Sequence, residues 1–276
     1  MGTIRMPSKI KENNQDYNGT ILRNLTNKNH VTIRNQDCIQ FLQSLPNESI
    51  DIITTDPAYS GMNQKMKFGN GRIVGKYENG NHSKWFKEFH DDPANYRTFL
   101  FECQRVLKKD SHIYIMFDSF SMLSRGAIIR EFFSVKNIIT WDKISMGMGH
   151  NFRRRHEFVI FATKGYKKLN SKNIPDVWRF KRVHSKFYPT QKPVEVFEAM
   201  LAASSERGHV VCDPFLGSGS AAIAALKKGC RFVGADISSA ACKLSISRIT
   251  NFLKLGVDIL QKTSASSSDE KNMFWK

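Results

Sequence analysis

Val210-Val211-Cys212-Asp213-Pro214-Phe215-Leu216-Gly217-Ser218-Gly219-Ser220 is the stretch whose reading decides the fold. A short β-branched run stops at an acid and a proline, turns through two glycines, and enters the small-residue helical stretch Ala221 to Lys228. Strand, glycine turn and helix in that order form the repeating unit of open α/β sheets. Glycines at such a turn let a ligand approach backbone N–H groups that no side chain shields. Arg231-Phe232-Val233-Gly234-Ala235 is the next strand, and Asp236 ends it. The acid stands about 20 residues beyond the loop, where a carboxylate accepts hydrogen bonds from ribose hydroxyls. Together these features point to an adenosine-containing cofactor. Spacing alone leaves a dinucleotide and other adenosine cofactors open.

Outward from this unit the same alternation continues. His30 to Ile33, Ile50 to Thr55, His112 to Phe117, Asn137 to Trp141 and His156 to Ala162 are apolar or β-branched runs of strand length. Helical spacing occupies Asp37 to Leu45, Tyr96 to Lys108, Met122 to Phe133 and Val194 to Ser204. Strands alternating with helices predict a largely parallel sheet with helices on both faces. The run Ile50 to Thr55 stops at Asp56-Pro57, because proline has no N–H for the ladder. Asp56 is therefore predicted at the carboxyl end of a strand.

The 276 residues suit one α/β domain with insertions. We divide the chain into a polar arm over 1–29, a catalytic domain over 30–261 and a disordered Ser-rich tail over 262–276. Residues 61–95 are Gly-, Asn- and Lys-rich with little periodicity, and are expected to form a mobile substrate loop. No apolar run is long enough to span a membrane and the arm lacks a secretory apolar segment, so a soluble, cytoplasmic protein with no membrane partner is expected. Five scattered cysteines, never in a Cys-x-x-Cys pair, suggest reduced buried thiols rather than a zinc knuckle or a disulfide framework. His150, His156 and His184 lack ligand spacing, so no metal is expected. Lys and Arg number 42 against 25 acids, a formal charge of +17 that attracts polyanions. Nucleic acid is the leading partner; charge alone also allows an anionic membrane or a merely soluble basic protein.

Asp213 to Gly219 resembles the cofactor motif of S-adenosylmethionine-dependent DNA amino methyltransferases, and Asp56-Pro57-Ala58-Tyr59 resembles their catalytic tetrapeptide, usually Asp-Pro-Pro-Tyr. Asp37-Cys38, Trp141-Asp142-Lys143, Arg153 through His156-Glu157, Lys164-Gly165 and Pro189-Thr190-Gln191-Lys192-Pro193 also match, from about Val31 to about Ile249. The tetrapeptide precedes the cofactor loop, which is similar to the circularly permuted beta order of that family. The resemblance implies a Rossmann-like seven-stranded sheet and S-adenosyl-L-methionine as cofactor. It further implies that Asp236 holds the cofactor ribose beside Asp213, Pro214, Gly217 and Gly219, that Phe215 and Asp37 flank or bond its adenine, and that Thr190, Gln191 and Lys192 approach its methionine end. It favours adenine N6 as the target, with cytosine N4, RNA or a protein amide as neighbouring alternatives. A nucleic-acid-binding subunit with a vestigial cofactor site is the rival from another class.

An amino group conjugated to a base ring is a poor nucleophile, so activation must fall on the nitrogen. Asp56 and the Pro57 carbonyl could each accept one amino hydrogen and turn the lone pair towards the methyl. A base must leave the duplex to arrive there, and the Tyr59 ring could replace part of its lost stacking. Ala58 departs from the usual second proline, which loosens the turn without removing either acceptor. For DNA contact we single out Lys65, Lys67, Arg72 and Lys76 in the loop, Arg153, Arg154 and Arg155, and Lys181 and Arg182 in a short basic recognition segment over 166–188. A homodimer and a cognate restriction enzyme are partners the resemblance allows.

Overall fold

The computed structural model describes residues 20–22, 31–57, 92–147, 151–183, 185, 187–188 and 190–260. Nine strands form one sheet among them: β1 Thr20–Leu22, β2 Val31–Asn35, β3 Ile50–Thr55, β4 Leu107–Phe117, β5 Ser134–Asp142, β6 His156–Lys164, β7 Val177–Arg179, β8 Val210–Asp213 and β9 Arg231–Asp236. Their spatial order is β1-β2-β9-β8-β3-β4-β6-β5-β7. Strands β2, β9, β8, β3 and β4 run parallel, whereas β6 is antiparallel to both β4 and β5. The seven expected strands are all present. The difference from a seven-stranded sheet lies at the edges, where β1 and β7 add three residues each.

Six α-helices cover the sheet among the described residues: α1 Cys38–Gln43, α2 Pro93–Val106, α3 Ser119–Arg125, α4 Val194–Ser204, α5 Ser220–Lys227 and α6 Ser239–Leu255. Successive strand residues face opposite sides, and the two sides differ in what covers them. Ile52, Tyr114, Met116 and Val211 pack under α4, α5 and α6. Ile53, Ile113, Ile115 and Cys212 pack under α1 and α2. Helix α4 is deeply enclosed: Val194, Val196, Phe197, Met200 and Leu201 are each at most 3% exposed. Fully burying such a side chain stabilises by about 1.5–3 kcal/mol.

Local chemistry explains where the helices begin. Asp37 caps α1 by accepting from Ile39 N at 2.9 Å, and Asp92 caps α2 by accepting from Ala94 N at 3.0 Å. Pro93 follows at the first helical position, which a residue without N–H tolerates. Helix α2 thus starts inside the stretch expected to be loop and yields to β4 at Leu107, two residues earlier than the periodicity suggests. Residues 61–91 of that loop, residues 1–19 and 23–29 of the arm and the whole tail lie outside the described residues. The helix expected over Met122 to Phe133 is two pieces, α3 and a 3-10 turn over Gly126–Glu131, broken at Gly126. Helix α6 was not anticipated; Ser238 caps it and Gly256, at φ +69°, ends it.

The direction of the strands decides where function can sit. The carboxyl ends of β2, β3, β4, β5, β8 and β9 lie on one edge of the sheet, and because β6 runs the other way its amino end joins them. No helix among the described residues is long and apolar enough to cross a membrane.

Candidate active site

The glycine loop between β8 and α5 is built around two acids, the buried Asp213 and the half-buried Asp236. Asp213 accepts from Thr55 Oγ1 at 3.0 Å and from Phe215 N at 3.0 Å, tying the loop to the end of β3. Asp236 accepts from Gly217 N at 2.8 Å and from Ser238 N at 2.8 Å. Burial raises both carboxyls, Asp213 to about 7 and Asp236 to about 6, with the backbone N–H groups pulling the other way. Gly217 has φ +51°, and a Cβ there would stand 3.1 Å from the Tyr188 hydroxyl. Gly219 has φ +80° and would bring a Cβ within 3.2 Å of Ser245. The loop therefore has both of its glycines for conformational and steric reasons.

Behind the loop, Arg248 is fully buried and forms a two-pronged pair with Asp258 at 2.8 and 2.6 Å. Its remaining donors reach Ser218 O at 2.9 Å and Ser220 Oγ at 3.0 Å. Ser220 Oγ in turn donates to Lys192 O at 2.7 Å, so the segment before α4 is anchored to the same strut.

A cavity opens beside the loop at the carboxyl edge, lined by Asp56, Pro57, Met116, Asp118, Trp141, Lys143, Glu157, Arg182, Val183, Thr190, Gln191 and Lys192. Its floor is charged. Lys192 Nζ bonds Asp56 Oδ2 and stands 3.7 Å from Glu157 Oε2, while Lys143 Nζ donates to Glu157 Oε1 at 3.1 Å. Burial pushes the Asp56 carboxyl above its ordinary range and Lys192 opposes that push; the two acids hold the Lys192 ammonium well above its usual range. Gln191 is 4% exposed and gives its amide N–H to Leu260 O at 3.2 Å, which leaves the carbonyl Oε1 buried without a partner among the described residues.

Asp56, Pro57, Thr190, Gln191, Lys192 and Arg182 thus meet in one cavity, and Asp213, Pro214, Phe215, Gly217, Gly219 and Asp236 meet in the adjoining loop. Lys192, expected at the methionine end of a cofactor, has its ammonium on Asp56 itself. The Asp37 carboxylate caps α1 through Oδ1, at the end of the strand beside β9. Phe215 packs edge-on against Phe99 with centroids 5.5 Å apart. Arg155 is held by Asp142 in a two-pronged pair that keeps that acid near 2. Arg154 lies over the Phe120 ring at 5.2 Å and 3.8 Å from Asp118, and Arg153 donates to Gly147 O at 2.8 Å. Lys181 is exposed. Tyr59, Lys65, Lys67, Arg72, Lys76, His150, His184 and Pro189 lie outside the described residues.

Sequence reasoning gave no role to Glu157, Lys143, Asp118 or Tyr188. Glu157 and Lys143 stand in matched motifs, yet nothing in a one-dimensional pattern tells that they converge on Lys192.

A family model described as DNA methylase matches residues 50–247. Over 263 residues the chain is 28% identical to the Type II methyltransferase M2.DpnII of Streptococcus pneumoniae, covering 87% of this chain and 97% of that protein. It is 27% identical over 260 residues to the DNA adenine methyltransferase YhdJ of Escherichia coli, covering 79% and 82%. Among solved structures, a putative DNA modification methylase from Thermus thermophilus complexed with S-adenosyl-L-methionine superposes with TM-score 0.58 at 20% identity, over 80% of this chain and 95% of that one. The cytosine-N4-specific PvuII DNA methyltransferase gives TM-score 0.60 at 15% identity, over 81% and 91%. These two likenesses show the methyltransferase fold. With the family match spanning both the Asp56 cavity and the glycine loop, the chain belongs to the DNA methylase family.

Proposed function

We propose that this chain methylates the N6 amino group of adenine in DNA, with S-adenosyl-L-methionine as the methyl donor. The observation that carries the reading is the junction of Asp56-Pro57 with the Asp213 to Gly219 loop through the Thr55 to Asp213 hydrogen bond, which sets an amino-group acceptor beside a nucleotide-type loop. The residues suit the donor. Asp236 offers acceptor oxygens to a ribose, Gly217 and Gly219 leave the loop open to close approach, and the unpartnered Gln191 Oε1 suits an ammonium. When bound, S-adenosylmethionine supplies an electrophilic methyl.

The protein's own part is to orient the nitrogen. Asp56 and the Pro57 carbonyl each accept one amino hydrogen, holding the lone pair in line with the methyl; such positioning is worth about 7–11 kcal/mol, more than any one hydrogen bond. Buried Trp141 and Met116 form apolar walls beside these acceptors. Tyr59 is proposed to stack on the flipped base, and Arg153, Arg154, Lys181 and Arg182 to meet phosphates with the loop cations Lys65, Lys67, Arg72 and Lys76. Arg155, 46% exposed while paired with Asp142, is proposed to meet phosphates beside them. The adenine-specific relative named above supports adenine over cytosine. Nucleoside mass spectrometry of DNA after reaction tests it: N6-methyladenine is the expected product, and N4-methylcytosine alone would replace the adenine reading with the cytosine one.

A further inference from the structure

The Asp56 cavity holds more charge than amino activation needs. Asp56 from the end of β3 and Glu157 from the start of β6 face Lys192 from the segment before α4 and Lys143 from the end of β5. Asp118 after β4 and Arg182 after β7 line the same cavity, and Asp213 and the Tyr188 phenol lie towards the glycine loop. Lys192 is 15% exposed, so its ammonium depends on protein partners.

An arriving amino group and Lys192 compete for the Asp56 carboxylate. Simply expelling the lysine would strand a mostly buried ammonium without a counter-charge. The structure contains the alternative partner: Glu157 Oε2 is already 3.7 Å from Lys192 Nζ, less than about 1 Å beyond hydrogen-bond length. Lys143 holds the other Glu157 oxygen, which keeps Oε2 turned towards Lys192.

Resting on the amino-methylation reading above, we propose that Lys192 transfers its contact from Asp56 to Glu157 when the target amino group binds, which makes Glu157 a positioning residue for methyl transfer. Lys192 stays protonated throughout. In the free enzyme it keeps Asp56 ionised in a site whose burial favours the neutral acid, and an ionised carboxylate accepts on both oxygens. In the bound enzyme Glu157 receives the cation, and Asp56 is released to the substrate at little electrostatic cost.

The test is the pH profile of kcat and of kcat/KM for the full-length enzyme and its Glu157→Gln variant on DNA, with cofactor binding followed by calorimetry. Glu157→Gln leaves Lys192 committed to Asp56. The expected result is a fall in kcat of about 10- to 100-fold, the worth of one charge-assisted contact, with KM for DNA and cofactor affinity little changed. The acid limb of kcat/KM, which reports the free enzyme, should also move to lower pH, because the Glu157 charge raises the Asp56 carboxyl in the wild type. A merely structural role would slow the reaction without moving that limb downward. Glu157→Asp retains the charge and should recover part of kcat; equal losses in the Asp and Gln variants overturn the proposal, as does an unmoved acid limb. A wild type that adds no methyl to DNA amino groups overturns the underlying reading and the relay with it, whereas normal methylation by wild type and Glu157→Gln alike overturns the relay alone.

Discussion

Two pairs of carboxylates share the carboxyl edge of the sheet, and they are treated in opposite ways. On the β8 and β9 side, Asp213 and Asp236 bond only backbone N–H groups and one threonine hydroxyl, with no cation paired to either among the described residues. On the β3 and β6 side, Asp56 and Glu157 are joined by Lys192 and Lys143. The first pair shapes a loop and presents acceptors to a ligand that brings its own donors. The second is paired with lysines, of which Lys192 stands on the acceptor that the proposed amino group would occupy. One edge therefore combines a permanent cradle with a switchable acceptor.

Asp56→Ala tests the switchable side alone. Turnover should fall by about 10³-fold while cofactor affinity stays near wild type, measured by single-turnover kinetics and calorimetry. Equal loss of cofactor binding would mean that the two sides are one unit. Arg248→Met probes what stands behind the cradle: it leaves Asp258 buried and unpaired and should lower stability by about 3–5 kcal/mol in denaturant unfolding. If the variant folds, cofactor binding should weaken, since Ser218 and Ser220 lose their donor.

Asp236→Ala is the converse of Asp56→Ala. Cofactor affinity should drop by about 10- to 100-fold, with kcat at saturating cofactor nearly intact. A larger fall in kcat than in affinity would contradict the division of labour. The smallest effect is expected at Asp213. Its carboxyl sits at about 7 folded and about 3.8 unfolded, so between those values the folded state holds the extra proton and stability declines as pH rises. Asp213→Asn, which preserves an acceptor for Thr55 and Phe215, should flatten that decline and add about 1–3 kcal/mol at pH 8 by thermal unfolding.

The seven principal strands were legible because each is a β-branched or apolar run ended by a turn, and Asp56 was legible because Pro57 marks where β3 stops. Helix α6 was not, for a visible reason. Its buried stripe is Ala241, Cys242, Ser245, Arg248 and Ile249, helical in spacing but polar at two positions, so hydrophobic periodicity fades where the loop needs its strut. The Glu157 partnership was hidden by strand direction: residues 14 apart become neighbours at Lys143 only because β6 returns antiparallel to β5, and Lys192 joins Asp56 across 136 residues. Alternation within a strand carries no sign of its direction. The short edge strands β1 and β7 gave too little pattern to read.

The order β2-β9-β8-β3 has a consequence for how the protein is made. The earliest principal strands, β2 and β3, do not touch each other; the two that fill the space between them are the last of the described strands in chain order. Until residue 236 has emerged, the middle of the sheet is an open slot with unpaired ladder groups on both sides, and Asp258 must follow before Arg248 is neutralised. A nascent chain should therefore remain protease-sensitive through most of its synthesis and close late.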